Sequence, residues 1–336
     1  MGATAASQRK RQPQRSTTSL RSGRSFDFVG RSRTWLFVSF GLLALCLLAL
    51  LVRGLSFGID FTGGSAFVVS GATTDFTAEE LTDAVAAEGV TEVAVQIGDG
   101  DAGRSALVRT PSLEEVGGEQ QAALVDVIAE VTGAPEGGID VSAVGPRWGA
   151  QVSRQALQGL AVFLVLVVAY ISFRFEWRMA VAALVTLAHD ILVTVGIYAL
   201  VGFEVTPASV IALLTILGYS LYDTIIVFDR VQENTARLTS VSSESYGQIA
   251  NTSLNQVLIR SLSTAMAALL PVGSLLFIGA SLLGADTLRD LALALFVGMA
   301  VGAYSSIFVA TPILVWLKER DPRLARLAER SAARGR

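Results

Sequence analysis

Six apolar runs divide the chain, at residues 35–52, 156–173, 179–201, 208–228, 257–278 and 288–317. Each is near the ~20 residues that an α-helix needs to cross a bilayer, so the pattern predicts six membrane-spanning helices. Between the first two runs the pattern changes. Short Val-rich stretches at 65–69, 93–97, 105–109 and 139–144, bounded by Gly, Asp or Thr, predict strands. Residues 77–87 and 113–132 predict helices, the first opened by a capping box of Thr77 and Glu80. The order βαββαβ predicts a split βαβ, ferredoxin-like α+β domain.

Composition fits a membrane protein. Of 336 residues, 52% are hydrophobic and 16% charged, with a mean hydropathy of +0.55, too apolar for a soluble chain of this length. The net charge is only -3, but the charges are segregated. The first 33 residues carry eight Lys or Arg and a single acid, Asp27. Threading six spans from a cytosolic N-terminus leaves 19 Lys or Arg inside and six outside, as the positive-inside rule requires. The first run lacks a small-x-small cleavage site after Leu51-Val52-Arg53-Gly54, so it is expected to stay as an anchor. The expected organisation is a basic cytoplasmic tail (1–33), a first span (34–52), an acidic extracytoplasmic domain (53–150), a five-span bundle (151–317) and a second basic cytoplasmic tail (318–336). Residues 1–25 lack apolar periodicity and are expected to be solvated.

The chemistry lies where lipid should be. Ionised side chains within hydrocarbon cost at least ~2.5 kcal/mol each, so each one demands a reason. Asp190 falls near the middle of the third span, and Asp223 about one and a half turns from the cytosolic end of the fourth. Arg260 enters the fifth span at a similar depth and is expected to be the counter-charge of Asp223. Thr186, Asp190 and Thr194 share one helix face, as do Ser220, Asp223, Thr224 and Val227, so each helix carries a polar stripe turned into the bundle. His189 lies about a hundred degrees round the helix from Asp190. Two carboxylates, one histidine and one arginine form the set a proton path would use. Low dielectric favours a protonated carboxyl and a nearby guanidinium an ionised one, so relative motion of the two can load and release a proton. Plain helix-to-helix glue is the competing account. In the sixth span Gly298 and Gly302, followed by Ser305 and Ser306, predict close helix packing. Asp229 and Arg230 are expected at the membrane edge.

Several stretches together resemble the SecF family of bacterial protein-export subunits: Phe26-Asp27-Phe28-Val29-Gly30-Arg31, Phe57-Gly58-Ile59-Asp60-Phe61-Thr62-Gly63-Gly64, Ala188-His189-Asp190, Gly218-Tyr219-Ser220-Leu221-Tyr222-Asp223-Thr224, Asn255-Gln256 with Arg260-Ser261, and Tyr304-Ser305-Ser306-Ile307-Phe308. The resemblance runs from about residue 26 to 317. It implies half of an RND-like transporter fold, completed by SecD beside the SecYEG channel, with SecA and YidC- or YajC-type subunits as further partners. The implied role is to use the proton-motive force to promote late steps of preprotein export across the bacterial cytoplasmic membrane. The resemblance assigns proton coupling to Asp223 and Arg260, places His189 and Asp190 near that path, and marks Asp60, Gly63 and Gly64 as the outer motif. Tyr222 departs from the Asn common among relatives, and an altered hydrogen-bonding environment around Asp223 is expected.

The single Cys46 and the single His189 leave no thiol or multi-histidine cluster for metal or redox chemistry. The region 53–150 contains no Ser-His-Asp set and no phosphate loop. The expectation is therefore a non-enzyme that needs no cofactor beyond an ion gradient and binds no nucleic acid. Two alternatives stand beside it: an RND-type small-molecule or lipid exporter half, and a passive translocon scaffold.

Overall fold

The computed structural model describes residues 26–90, 92–100, 103–111, 118–135, 137–236, 244–279, 286–322 and 324. The tail before Phe26 and residues 113–117 of the expected second domain helix lie outside this set, as does most of the C-terminal tail.

Six helices among the described residues are long and apolar enough to cross a membrane, and the chain is a polytopic helical membrane protein. The first is α1 (Ser32–Arg53). A two-residue strand β1 (Ser56–Phe57), a helical turn α2 (Ile59–Thr62) and the domain elements β2 (Gly64–Ala72), α3 (Ala78–Ala87), β3 (Ala94–Gly100), β4 (Gly103–Thr110), α4 (Gly118–Thr132) and β5 (Ile139–Val144) follow. The other spans are α5 (Pro146–Arg174), α6 (Trp177–Val201), α7 (Pro207–Thr235), α8 (Tyr246–Ser274) and a final run built from α9 (Asp286–Ser305), a π-helical stretch Ser306–Ala310 and α10 (Thr311–Glu319).

β2 to β5 form one antiparallel sheet in the order β3-β4-β2-β5. Phe67 and Val69 of β2 and Val108 of β4 meet Leu81 and Val85 of α3 and Leu124 and Ile128 of α4 in a core without solvent exposure. The alternation along each strand sends these positions to one face. Thr77 accepts a hydrogen bond from the Glu80 amide (3.2 Å) and Glu80 accepts one from the Thr77 amide (2.8 Å), satisfying two orphan donors at the start of α3.

Several helices outrun their apolar windows. α5 begins at Pro146, with proline's fixed φ suited to the first helical turn, and half of its first ten residues are polar. α8 begins at Tyr246, eleven residues before the apolar run, under a Ser245–Gln248 capping box. A hydropathy window sees only the lipid-facing length, whereas hydrogen bonding continues the helix past it. The early part of α8 also anchors the chain's N-terminal side, because Asn251 and Asn255 accept hydrogen bonds from the amides of Phe28 and Phe26 (both 2.8 Å) and so seat the segment before α1. Phe28 then meets the ring of Phe308 edge-on, and Trp35 packs against it at a tilt.

The domain is tied to the bundle by its flanking chain and by a parallel pairing of β1 with β6 (Glu204–Val205), between α6 and α7. Gly58 donates to the Val205 carbonyl (3.0 Å). α2 lies between the sheet and the start of α5. A Cβ on Gly149 would stand 2.7 Å from the Phe61 carbonyl oxygen, so the helix can approach this turn only with glycine there. Gly63 and Gly64 adopt positive φ (75° and 130°), where a side chain would be strained, and Gly64 also abuts the Thr110 carbonyl. Asp60 lies in the first turn of α2.

Candidate functional site: a hydroxyl-lined carboxylate cluster in the bundle

α6, α7, α8 and the last span meet around two carboxylates. Asp190 is 1% exposed and Asp223 6%, and both polar stripes turn inward: Thr186, Thr194, Ser220 and Thr224 are buried. Thr186 donates to the carbonyl of Ala182 (2.9 Å), so part of the α6 stripe is internal to its helix. The Thr194 hydroxyl is buried without a hydrogen-bond partner.

Asp190 is held from two sides. The Nδ1 of His189 lies 3.1 Å from Oδ1, and the Ser220 hydroxyl of α7 donates to Oδ2. Neighbouring side chains on a helix ordinarily diverge, yet His189 folds back onto Asp190, leaving its own Nε2 buried and unpartnered. Ser220 also packs against the last span. Gly302 of α9 approaches it so closely that an added Cβ would stand 2.9 Å from the Ser220 Cβ.

Asp223 lies one helical turn beyond Ser220, roughly 4.5 Å along α7. Ser261 of α8 lies 2.7 Å from both of its carboxylate oxygens, and Ser306 donates to Oδ2. Arg260 is not its partner. Successive residues on a helix point about a hundred degrees apart, and α8 buries Ser253, Val257, Ser261 and Ala265 at intervals of four. Arg260 falls on the outer, exposed face beside Ile259 and Leu262. The direct ion pair expected from sequence is thus absent among the described residues, and Ser261 stands in its place. Tyr222 is likewise 54% exposed and points away, so the surroundings of Asp223 are set by serines.

Ser306 was expected only as a packing residue. It begins the π-helical stretch Ser306–Ala310, where an extra residue per turn redirects side chains, a feature frequent at functional sites. Ser305 stays with packing, donating to the Gly302 carbonyl (3.2 Å). Gly298 is packed on Ile216 of α7. The involvement of Ser261 was the main omission of sequence reasoning; it shares a four-residue register with Val257 and Ala265, but that apolar register does not by itself mark the packed face.

Serine hydroxyls both donate and accept. They can donate to an ionised carboxylate and accept from a protonated one, so either state of Asp223 keeps its partners, whereas a guanidinium only donates and would leave the proton of the neutral acid without an acceptor. At one end of the bundle, ion pairs Arg174–Asp229 (2.8 Å), Arg178–Asp321 (2.9 Å) and Lys318–Glu176 gather the helix ends, and Arg230 pairs with Glu233 (2.6 Å) within α7. At the other end, Arg109 of β4 lies 3.2 Å from Glu204. Burial pushes the Glu204 carboxyl above its ordinary range, Arg109 pulls it down in part, and Asp60 pushes it up. No group of three or more metal-ligating side chains occurs among the described residues.

Comparison with known proteins gives a consistent assignment. Residues 126–320 match the family described as protein export membrane protein SecD/SecF, C-terminal, and residues 48–74 match the SecD/SecF GG motif. The chain is 46% identical over 310 residues to protein translocase subunit SecF of Streptomyces coelicolor, covering 92% of this chain and 81% of that protein. It is 42% identical to the subunit of the same name in Mycobacterium tuberculosis, covering 88% of this chain and 68% of the relative. The crystal structure of SecDF from Thermus thermophilus, titled a translocon-associated membrane protein, superposes with a TM-score of 0.76 at 35% identity, covering 88% of this chain and 39% of that one. By sequence and by fold, the chain belongs to the SecF family of protein-export membrane proteins.

Proposed function

We propose that this chain is the SecF-type accessory subunit of a Sec protein translocase, a transport component and not a catalyst. It works with a SecD-type partner and couples the proton-motive force to late steps of preprotein export. The family assignment supports the translocase role, and the SecDF relative, in which a chain like this one occupies 39% of the length, supports the partner. The coupling rests on one observation: the buried Asp223 carboxyl is hydrogen-bonded by the serine hydroxyls of Ser261 and Ser306, which can partner it in either protonation state. A charge moved across the membrane potential gains about 2.3 kcal/mol per 100 mV, enough to bias a modest domain motion.

In this reading the βαββαβ unit is a ferredoxin-like extracytoplasmic domain, both termini are cytoplasmic, and the membrane is the bacterial inner membrane. SecYEG, SecA and YidC- or YajC-type subunits are the wider partners, with unfolded preproteins as cargo and no cofactor beyond the gradient. Arg260 acts in an arrangement where α8 has turned or the partner approaches, and Asp190 with His189 extends the proton path from Asp223 through Ser220.

Asp223→Asn keeps the shape and removes the proton. In inverted vesicles carrying the full complex, the variant should retain ATP-driven export and lose the increment added by a proton gradient. An undiminished increment would reduce the chain to a passive scaffold.

A further inference from the structure

A groove of about 690 Å³ runs between α1 and α6, floored by Val309 and Ile313. Its walls are apolar apart from Arg33 at one end, the ring of His189, and Ser39, whose hydroxyl is already bonded to Tyr304 (2.9 Å). Along α1 the lining extends from Arg33 to Leu43, ten residues or roughly 15 Å. That is half of the ~30 Å hydrocarbon core, the depth of one leaflet. The groove opens outward from the bundle, where Phe37 and Phe40 are 74% and 71% exposed. From this geometry we infer that the groove is a binding site for one anionic phospholipid, its phosphate paired with Arg33 and an acyl chain laid along Phe40 and Leu43 against Ala188 and Leu192.

Charge and shape select this occupant together. A cationic side chain stands where a headgroup lies, and an apolar trench one leaflet long leads away from it. Arg33 can swing its long side chain to the interface while its methylenes stay on the groove wall. The inner wall of the trench is His189, which carries Nδ1 toward Asp190 and leaves Nε2 without a partner. Hydrocarbon in the trench keeps water from that nitrogen on the lipid side, so the lipid belongs to the insulation of the carboxylate cluster.

The test is photo-crosslinking of the full chain, with its partner subunits, in nanodiscs. Phosphatidylglycerol or phosphatidylcholine would carry a diazirine in the acyl chain, and adducts would be mapped by peptide mass spectrometry. Phosphatidylglycerol adducts should concentrate on residues 36–43 and 185–192 and exceed phosphatidylcholine adducts there about five-fold, the ratio that one basic side chain beside an anionic surface provides. Arg33→Gln should bring the two lipids level, and Ala188→Trp should remove adducts of both from the groove while thermal stability is kept. Adducts spread evenly over the lipid-facing surface, a headgroup preference unmoved by Arg33→Gln, or cross-links from the groove to a protein segment in place of lipid would each overturn the assignment.

Discussion

Gly298 and Ile216 offer a quantitative test of how α9 seats on α7. An alanine Cβ at 298 would lie 2.8 Å from the Cγ2 of Ile216 and 2.9 Å from its Cγ1, and closer still to Cδ1. Ordinary carbon contacts begin near ~3.5 Å, and Ile216 is only 1% exposed, so it has nowhere to go. Overpacking of this kind costs about 1–3 kcal/mol. Alanine's better helix propensity returns up to ~1 kcal/mol, which leaves Gly298→Ala net destabilising by about 0–2 kcal/mol. Gly159 of α5 has no atom within 4 Å of its would-be Cβ, so Gly159→Ala should be neutral or stabilise by up to about 1 kcal/mol. Ile216→Ala alone leaves a cavity and should cost about 2–5 kcal/mol. The double variant should fall short of the sum by 1 kcal/mol or more, because the new methyl enters the vacated space. Reversible unfolding in mixed SDS micelles, followed by far-ultraviolet circular dichroism, reads all four. If Gly298→Ala stabilised as Gly159→Ala does, or if the pair were additive within ~0.5 kcal/mol, the packing argument would fail.

Other substitutions separate the elements of the site. Ser261→Ala should destabilise the bundle by about 1–3 kcal/mol through the lost hydrogen bond to a buried carboxyl, while Arg260→Gln should stay within ~0.5 kcal/mol; the reverse order in the same unfolding assay would restore the direct ion pair. Glu204 predicts a pH dependence. Its folded value is raised, so below the ordinary glutamate range near ~4.3 it is neutral whether folded or not and burial carries no ionisation penalty. As pH rises above that range the unfolded chain ionises first, and native stability falls until the raised folded value is passed. Glu204→Gln should remove this component, so wild type should lose thermal stability relative to the variant as pH rises above the ordinary glutamate range. A difference that ran the other way would mean that the Arg109 pairing outweighs the burial.

What could be read from sequence divides along physical lines. Spans and polar stripes were legible because lipid and helical period act on every residue of a run. Asp190 and Asp223 stood out because charge in hydrocarbon is rare. The partner of Asp223 did not, since Arg260 and Ser261 are adjacent and the choice between them depends on which face of α8 packs inward. α8 is apolar toward lipid as well as toward the bundle, so hydropathy alone does not fix that face. The π-helical placement of Ser306 left no compositional trace. The β1–β6 pair joins two dipeptides 148 positions apart in chain numbering, too short for any periodicity to register.

That small pair shapes how the α+β domain can move. The domain joins the bundle through the segment following α1 and through Gly145 into α5, and the strand pair clasps the first of these connections to the loop between α6 and α7. A connection clasped in this way is no free tether, because the root of the domain travels with that loop. Tilting of α6 and α7 would therefore be handed to the domain at its root, as a tug on a hem moves the cloth sewn to it.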